Sequence, residues 1–357
     1  MAQNNIQRRE SRKVKVGNLF IGGDAPIPIQ SMTTTDTTDA KKTISQIHGL
    51  EEVGCDIIRV SAPTMDAAKA LKEIKENISI PLVVDIHFDY RIALEAVKYA
   101  DKVRINPGNI GSIDKVQQVV KACKDYSVPI RIGVNLGSLE KDLYEKYGYA
   151  PGAMVESAMR HVKILEDLDF YNTIVSLKAS DVPRMVQAYR LFAQKTNYPL
   201  HLGVTEAGSR LPGAIKSAMG MGMLLSEGIG DTIRVSLSED PKEEVKSGKL
   251  ILRSLGLRND GVQVTSCPTC ARTQIDVIKL VEEIENATEK IKKPIHVAIM
   301  GCAVNGPGES RKADLGIVGA PGNHLLYKNG QIVKRVNDNE IKEVLLKEIN
   351  EIAENGN

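Results

Sequence analysis

The chain alternates short runs of β-branched residues with amphipathic segments between residue 27 and about residue 238. Eight of these runs are strand-like: IPIQSM (27–32), IIRVS (57–61), LVVDIH (82–87), KVRIN (102–106), IRIGVN (130–135), TIVSLK (173–178), LHLGVT (200–205) and TIRVS (232–236). The segments between them carry apolar residues at three- and four-residue spacing, the period of a helix with one buried face. Eight such alternations predict a closed parallel (β/α)8 barrel, the TIM-barrel architecture. We expect the preceding segment LFIGG (19–23) to form a short hairpin that plugs the bottom of the barrel.

The pattern changes after residue 250. VQVTSC (262–267), PIHVAIMGC (294–302) and ADLGIVGA (313–320) predict strands, whereas TQIDVIKLVEEIENAT and NEIKEVLLKEINEIAE predict helices. Asn329 and Gly330 stand between two apolar runs, which is a strong signal for a two-residue hairpin turn. We therefore predict an α/β protein with two domains, a TIM barrel over residues 1–250 and a small α+β domain over residues 251–357.

Composition and charge narrow the class of protein. The 357 residues include 47 basic and 45 acidic side chains, which gives a formal net charge of +2. Nucleic-acid binding draws on a much larger positive field, so we expect no nucleic-acid partner. No apolar run approaches the roughly 20 residues of a membrane span. The first residues are basic but lack the apolar region of a secretory signal, and we expect a cytoplasmic protein without a membrane partner.

Cationic residues occur at the carboxyl ends of five predicted strands. In a TIM barrel these ends face the ligand. The residues are Arg59, Arg104, Arg131, Lys178 and Arg234. Cations that converge in one buried mouth repel each other unless an anion joins them, and the planar fork of arginine suits phosphate oxygens. We expect a small substrate that carries at least two phosphate charges.

The same strand ends also carry neutral and acidic side chains. They are Asp85, His87, Asn106, Asn135, Ser180, His201, Thr205, Glu206 and Ser236. Glu206 is the better candidate for an acid, because basic neighbours hold a carboxylate near substrate oxygens in position for proton transfer. Asp85 is a candidate for orienting an arginine. We expect His87 and His201 to donate hydrogen bonds from the lining rather than to act as general bases.

Five cysteines form an uneven set. Cys55 and Cys123 stand among apolar residues, and we expect both to be buried. Cys267 and Cys270 form a C-x-x-C pair, and Cys302 follows Cys270 by 32 residues in GCAVNGPGE. An odd number of cysteines in a chain of this kind favours a metal centre or catalysis over disulfides.

Three thiolates at two strand ends predict one metal centre. Structural zinc normally takes four protein ligands, and Glu309 is the best candidate for the fourth. An iron–sulfur cubane also fits, because three thiolates and one oxygen ligand would leave one iron exchangeable. The cysteine spacing leaves zinc and an iron–sulfur cluster open.

Three classes of function are compatible with these features. The first is an iron–sulfur enzyme that acts on a phosphorylated substrate. The second is a zinc-stabilised barrel that acts on a phosphorylated sugar or a pterin precursor, in which Lys178 would form a Schiff base. The third is a non-catalytic iron–sulfur sensor, which would not require five cations at strand ends. The methionines of the Gly-rich segment, Met219, Met221 and Met223, are expected to pack in the core.

Ten motifs resemble one family, the bacterial 4-hydroxy-3-methylbut-2-enyl diphosphate synthases of the non-mevalonate isoprenoid pathway. The motifs are PIPIQSMTTTDT, GCDIIRVS, VVDIHFDYRIAL, VRINPGNIG, IRIGVNLGSLEKD, SLKASDV, HLGVTEAG, DTIRVSLSEDP, CPTCAR and MGCAVNGPGE. They extend from about residue 20 to residue 310, and together they are highly specific. The length of the chain resembles the two-domain bacterial form of the family.

The resemblance implies a fold and a cofactor. It implies an N-terminal TIM barrel and a C-terminal 4Fe–4S domain that resembles a sulfite-reductase module. Cys267, Cys270 and Cys302 match the thiolate ligands of the cluster. Glu309 matches the carboxylate that occupies the fourth iron and that the substrate displaces.

The resemblance also implies a reaction and partners. The implied substrate is 2-C-methyl-D-erythritol 2,4-cyclodiphosphate, which is opened and dehydrated with two single electrons from ferredoxin or flavodoxin. The five strand-end cations would hold the diphosphate, and Glu206 would hydrogen-bond a substrate oxygen or deliver a proton. The implied assembly is a head-to-tail homodimer, in which each cluster domain covers the barrel of its partner.

Overall fold

The chain folds as two units in a computed structural model that describes residues 6–87 and 89–355. The first, the barrel unit, extends to Arg258, and the second, the C-terminal unit, begins at Asn259. We predicted the division at residue 250. The structure places it later, because the last barrel helix, Pro241–Ser254, continues past that position and packs on the barrel.

The barrel unit begins with an antiparallel hairpin of β1 (Val14–Val16) and β2 (Leu19–Ile21). Val14, Val16 and Ile21 pack against residues near the starts of three barrel strands, in a cluster separate from the main core. A hairpin therefore covers the amino-terminal end of the barrel, as predicted, but it begins earlier than the predicted segment 19–23, of which only Leu19–Ile21 belong to it.

Eight parallel strands follow, and each coincides with one of the predicted runs. They are β3 (Gln30–Met32), β4 (Ile57–Ser61), β5 (Leu82–Asp85), β6 (Lys102–Arg104), β7 (Ile130–Asn135), β8 (Thr173–Lys178), β9 (His201–Leu202) and β10 (Thr232–Ile233). Strands β3 to β8 form one continuous curled sheet, and β9 pairs with β10. Isolated parallel bridges join Val175 to Leu200 and Ile29 to Ile233. These bridges link the pair to both edges of the six-stranded sheet.

Helices separate the strands and cover the outside of the sheet. They are α1 (Ala40–Glu52), α2 (Met65–Glu76), α3 (Tyr90–Ala96), α4 (Ile113–Asp125), α5 (Lys141–Tyr147), α6 (Pro151–Glu166), α7 (Val182–Lys195), α8 (Arg210–Ser226) and α9 (Pro241–Ser254). Several begin at a side chain that accepts a hydrogen bond from the first turn, including Asp39, Thr64, Asp181 and Asp240. Such caps satisfy amide groups that the helix itself leaves free.

Buried apolar side chains from the strands and helices form the main core of the barrel unit. Cys55 and Cys123 belong to it, as predicted. Burial raises the pKa of each of these thiols to about 12, which makes them unreactive at neutral pH.

Helix α8 departs from the prediction for the methionines. Met221 is buried, but Met219 and Met223 are exposed. Together with Leu211 and Ile215 they form an exposed apolar stripe at four-residue spacing along the helix. The prediction was therefore correct for Met221 and wrong for the other two.

The C-terminal unit is a five-stranded sheet with helices. Its elements are β11 (Val262–Ser266), α10 (Val277–Thr288), β12 (Ile295–Met300), α11 (Gly306–Ser310), β13 (Leu315–Val318), β14 (His324–Lys328), β15 (Gln331–Val336) and α12 (Ile341–Glu354). The strands lie in chain order, with the first three parallel and the last two antiparallel. The predicted α+β unit and its Asn-Gly turn are confirmed, with Asn329 and Gly330 at positive φ.

Candidate functional site

A polar cavity of about 220 Å³ opens at the carboxyl ends of the barrel strands. Ten of the predicted site residues line it: Arg59, Asp85, His87, Arg104, Arg131, Asn135, Lys178, Thr205, Arg234 and Ser236. All five predicted cations are among them. The structure thus brings together side chains from strands or strand ends that lie up to 177 positions apart in the sequence.

Asp85 lies at the centre of one side of this cavity. Its carboxylate is 3.0 Å from Arg104 Nη1, 3.8 Å from Arg59 Nε and 3.8 Å from His87 Nε2. Burial by itself would raise the pKa of Asp85, but Arg59, Arg104 and Arg131 outweigh burial and lower the pKa. Asp85 is therefore ionised at neutral pH and orients two guanidinium groups, the role that the sequence suggested.

The backbone of strand β7 fixes the position of Arg104. The carbonyl oxygen of Gly133 accepts hydrogen bonds from Arg104 Nη2 at 3.0 Å and from Asn106 Nδ2 at 3.1 Å. The amide of Gly133 donates to Asn106 Oδ1 at 2.8 Å. A β-carbon at position 133 would lie 2.5 Å from Arg104 Nε, so only glycine leaves room for the guanidinium here.

Glu244 holds Arg234 on the opposite side of the cavity. This carboxylate, on helix α9, is 3.3 Å from Arg234 Nη2 and accepts a hydrogen bond from Ser31 Oγ at 3.2 Å. It also accepts from the amide of Leu237 at 3.0 Å. A buried carboxylate in this position aims the guanidinium and balances its charge.

Burial and mutual repulsion act strongly on the cations. Burial, with repulsion from Arg234, Arg131 and Arg59, lowers the pKa of Lys178 well below its ordinary value. Burial also lowers the pKa of Arg59 to about 10. These directions mean that the cavity gains stability when an anion enters it.

Four predicted residues lie outside the lining. The side chain of Asn106 donates a hydrogen bond to the backbone of Gly133 on the neighbouring strand, and Ser180 is exposed. His201 is the first residue of β9 and is fully buried, so it lies below the strand ends where we had placed it. Glu206 is exposed and has φ of 53°, a left-handed conformation that side chains other than glycine rarely adopt. Such conformations often occur at functional sites, which keeps Glu206 a candidate.

The sequence reading missed three residues of the site. Gly133 and Ser176 line the cavity two positions before Asn135 and Lys178. Strand alternation was the signal that would have found them, because residues two apart share one face. Glu244 comes from a helix, and no motif marks it.

The three C-terminal cysteines lie on neighbouring loops of the C-terminal unit. Cys267 follows β11 and accepts a hydrogen bond at its Sγ from the amide of Gly301, which follows β12 and precedes Cys302. The amide of Gln274 in turn donates to the carbonyl oxygen of Gly301 at 2.8 Å, which ties the two loops together. Cys267 and Cys302 are half-buried and Cys270 is exposed.

The chemistry of the donor residues fits an iron–sulfur cluster, but the positions of their side chains do not yet form a metal site. Backbone hydrogen bonding by Arg272 lowers the pKa of Cys270, which favours the thiolate that metal centres require. Glu309 lies on α11, half-buried, with Lys312 Nζ 3.3 Å from its carboxylate. Among residues 6–87 and 89–355, however, no three His, Cys, Asp or Glu side chains converge in a way that would hold a metal ion. Hydrogen bonds between the two loops nevertheless bring the three cysteines into one region of the C-terminal unit.

These features define a class of protein: an α/β protein in which a TIM barrel carries a cation-lined cavity and a smaller unit carries three cysteines. The GcpE TIM-barrel domain family matches residues 11–249, and the GcpE protein C-terminal domain family matches residues 263–351. The chain therefore belongs to the GcpE family and is an enzyme.

Curated relatives agree with this assignment over nearly the whole chain. A protein of Clostridium perfringens is 56% identical over 97% of this chain and 100% of its own length. Proteins of Clostridium acetobutylicum and Brevibacillus brevis are also 56% identical, over 96% and 98% of this chain and 99% and 97% of their own lengths. All three are named 4-hydroxy-3-methylbut-2-en-1-yl diphosphate synthase (flavodoxin).

Solved structures share the barrel fold at low sequence identity. A truncated 3-deoxy-D-arabino-heptulosonate 7-phosphate synthase of Thermotoga maritima matches with a TM-score of 0.51 and 14% identity, over 69% of this chain and 94% of that chain. A phospho-2-dehydro-3-deoxyheptonate aldolase of the same organism matches with a TM-score of 0.50 and 13% identity, over 69% of this chain and 75% of that chain. These matches concern the fold alone and give no support to the alternative of a zinc-stabilised barrel that acts on a phosphorylated sugar or a pterin precursor.

No helix in the part of the chain that the structure describes combines the length and the apolar character needed to cross a membrane.

Proposed function

We propose that this enzyme converts 2-C-methyl-D-erythritol 2,4-cyclodiphosphate to 4-hydroxy-3-methylbut-2-enyl diphosphate with two single electrons from flavodoxin or ferredoxin. The proposal depends mainly on one observation: in this GcpE barrel, four arginines and Lys178 line one small cavity. A cyclic diphosphate brings one negative charge on each phosphorus, which this cationic lining favours. The relatives' name supports the product and flavodoxin as the donor.

The barrel residues bind and orient the substrate. Arg104 is held by Asp85 and Gly133, and Arg234 is held by Glu244, so their free N–H groups point in fixed directions. Fixed donors lose little conformational entropy when they bind phosphate oxygens. Asn135, Thr205 and Ser236 add neutral donors to the lining. The diphosphate is thereby anchored while the bond to the ring carbon breaks.

Glu206 is proposed as the proton donor. Opening the ring and releasing one hydroxyl as water consumes two electrons and, because the product carries one more negative charge than the substrate, one proton. Glu206 lies directly after Thr205, a residue that lines the cavity, and its carboxyl is exposed to solvent. An exposed carboxyl can regain a proton from solvent after each turnover.

Cys267, Cys270 and Cys302 are proposed to hold a 4Fe–4S cluster, with Glu309 as the exchangeable fourth ligand. Bound there, the cluster would supply single electrons and a Lewis acid for the departing oxygen. The chain's own contribution is a set of three thiols on two tied loops, one of them with a lowered pKa. We also propose, from the resemblance, that the C-terminal unit resembles a sulfite-reductase module.

A head-to-tail homodimer is the proposed assembly. It rests on the resemblance, and one surface feature supports it: the apolar stripe of Leu211, Ile215, Met219 and Met223 on α8. Stripes of this kind on a barrel helix are typical of surfaces that another chain covers. Mixing a barrel-site variant, Lys178→Met, with a cluster-site variant, Cys302→Ser, tests the arrangement. Recovery of activity in mixed dimers supports it, and no recovery despite proven mixing contradicts it.

The proposed function is tested by composition and turnover together. Protein purified without oxygen should contain iron and sulfide in equal amounts, and it should convert the cyclodiphosphate when a chemical reductant is added. A colourless protein that holds zinc and lacks iron would contradict the proposal. The Cys55→Ala variant is the matched control, because Cys55 is a buried thiol of the barrel unit and should leave the iron content unchanged.

A further inference from the structure

Lys102 is a buried lysine that has no hydrogen-bond partner among the described residues. It is fully buried, and its Nζ makes no hydrogen bond within residues 6–87 and 89–355. It begins strand β6 and precedes Arg104 by two positions. Because residues two apart in a strand share a face and Arg104 lines the cavity, Lys102 points into the barrel one layer below it.

Several other buried polar atoms in the barrel interior also lack hydrogen-bond partners in the part of the chain that the structure describes. Both ring nitrogens of His201 and both amide atoms of Gln30 lack partners among the described residues, as do Nε and Nη2 of Arg131. His201 belongs to the same interior, because a β-carbon on Gly203, two positions later, would lie 2.8 Å from Lys178 Nζ. An interior of this kind is costly to the fold, since buried polar groups without partners lose their hydration.

The charges that act on Lys102 are repulsive. Burial lowers the pKa of Lys102 well below its ordinary value, and Arg131 and Arg59 lower it further. His201 also interacts electrostatically with Lys102, and burial lowers the pKa of His201 well below its ordinary value. Asp85 is in register with Arg104 rather than with Lys102, and it is engaged by Arg59 and Arg104. Lysine, unlike arginine, can give up its proton at such a site.

Charge balance in the barrel gives a reason for a neutral lysine. The four arginines of the cavity face two carboxylates, Asp85 and Glu244, so the arginines alone leave two positive charges unbalanced before any charge on a lysine is counted. A cyclic diphosphate supplies two negative charges and removes the repulsion. Arg131 and Arg59 no longer repel a charge on Lys102 once a dianion balances them, so a bound dianion favours the uptake of one proton by Lys102.

We propose that Lys102 is a buried proton-binding site coupled to the cavity above it, neutral when the cavity is empty and protonated from solvent when a diphosphate occupies it. Lys102 then acts as a positioning residue that raises the affinity of the cavity for the anion without contacting the anion. Burying the unpaired amine of Lys102 lowers the stability of the folded protein, a loss that is common at functional sites. This inference rests on the proposed function for the identity of the anion.

Calorimetric titration of the oxidised holoenzyme tests the coupling. Binding heats are measured from pH 6 to pH 10 in buffers of different ionisation enthalpy, with the cyclodiphosphate and, separately, with sulfate as the anion. Neither probe titrates in this range, so any proton uptake belongs to the protein. We expect net uptake on binding, with an affinity that falls by up to about tenfold per pH unit where uptake approaches one proton.

Three variants assign the proton. Lys102→Met should lose most of the uptake and bind more weakly at neutral pH, and its unfolding midpoint in urea should rise because a buried unpaired amine is gone. Lys102→Arg keeps a permanent charge and should bind with little uptake. Lys72→Met, on the exposed face of α2, is the matched control and should behave as the wild type does.

The outcomes are distinct. Unchanged uptake in both Lys102 variants, or no uptake in the wild type, overturns the inference. If the cyclodiphosphate fails to bind but sulfate binds with Lys102-dependent uptake, the proposed substrate is wrong and the proton site stands. If the cyclodiphosphate is turned over but binds without uptake, the function stands and the proton site is wrong.

Discussion

Replacing Gly133 with alanine should disable Arg104 while leaving the fold intact. The new β-carbon would lie 2.5 Å from Arg104 Nε and 2.9 Å from Nη2, distances that real contacts do not allow. The guanidinium is the end of a flexible side chain, so it can swing away at little cost to the fold. It then loses its hydrogen bonds to the Gly133 carbonyl oxygen and to Asp85.

The size of the effect follows from what Arg104 contributes. A hydrogen bond that involves a charged group contributes about 1.5–3 kcal/mol. If the displaced guanidinium loses one such contact to the substrate, kcat/KM falls about 10- to 150-fold. The assay is the initial rate of product formation against substrate concentration with reconstituted holoenzyme. The iron content should be unchanged, because the cysteines belong to the other unit.

Gly137→Ala is the matched control. Gly137 follows the same strand, and a β-carbon there would meet no heavy atom within 4 Å. We expect wild-type kinetics from this variant. A Gly133→Ala enzyme with wild-type kcat/KM would refute the role of Arg104, and an equal loss in both variants would refute the steric reasoning.

Three further predictions concern carboxylates. Glu206→Gln should keep the absorbance of the cluster but lower kcat sharply, and unchanged turnover would remove Glu206 from the catalytic residues. Glu244→Gln should raise KM by about tenfold, because Arg234 loses the charge that orients it. Initial rates at several substrate concentrations measure KM, and a KM equal to that of the wild type would contradict this role of Glu244. The third concerns Glu140, whose pKa a hydrogen bond from His161 lowers to about 2 from an ordinary value of 4.5. The stability that ionised Glu140 contributes to the fold is complete above pH 4.5 and is lost as the pH falls toward 2. Glu140→Gln should therefore lower the free energy of unfolding at pH 7 by about 1 kcal/mol after solvent screening. Urea unfolding at several pH values should show that this difference from the wild type becomes smaller in acid.

The barrel could be predicted from the sequence because its strands are buried on both faces. Such strands appear as short apolar runs, and the helices between them keep a separate period. The polar residues that end those runs, such as Arg59 and Asp85, could be predicted for the same reason, because parallel strands present their carboxyl ends at one mouth.

Other parts of the site depend on contacts that local pattern does not record. Glu244 reaches Arg234 from a helix, and its sequence context is that of an ordinary charged helix start. Lys102 and His201 lie at the beginnings of strands, where the strand-end rule does not apply. Met219 and Met223 have the composition of core residues, yet helix α8 turns them outward.

The sequence predicted that the three cysteines follow the ends of two strands, but it could not predict how the three thiols are arranged. Cys267 and Cys302 follow neighbouring parallel strands, so backbone topology alone brings their loops together. The direction of each thiol depends on side-chain rotation and on the ligand that the three sulfurs would share. Because metal binding and the ordering of a site are coupled, we expect the proposed cluster to fix the directions of the three thiols.

We propose that the substrate is held by the arginines of the barrel through its diphosphate and is reduced by electrons that pass through the C-terminal unit. The most direct test is a single experiment with oxygen-free holoenzyme, reduced flavodoxin in known amount and the cyclodiphosphate, in which flavodoxin oxidation and product are counted together. We expect two electrons to be consumed for each 4-hydroxy-3-methylbut-2-enyl diphosphate formed, and we expect the Cys302→Ser variant to form none. Flavodoxin that stays reduced while the holoenzyme carries a full complement of iron, or product formed without electron consumption, would contradict this proposal.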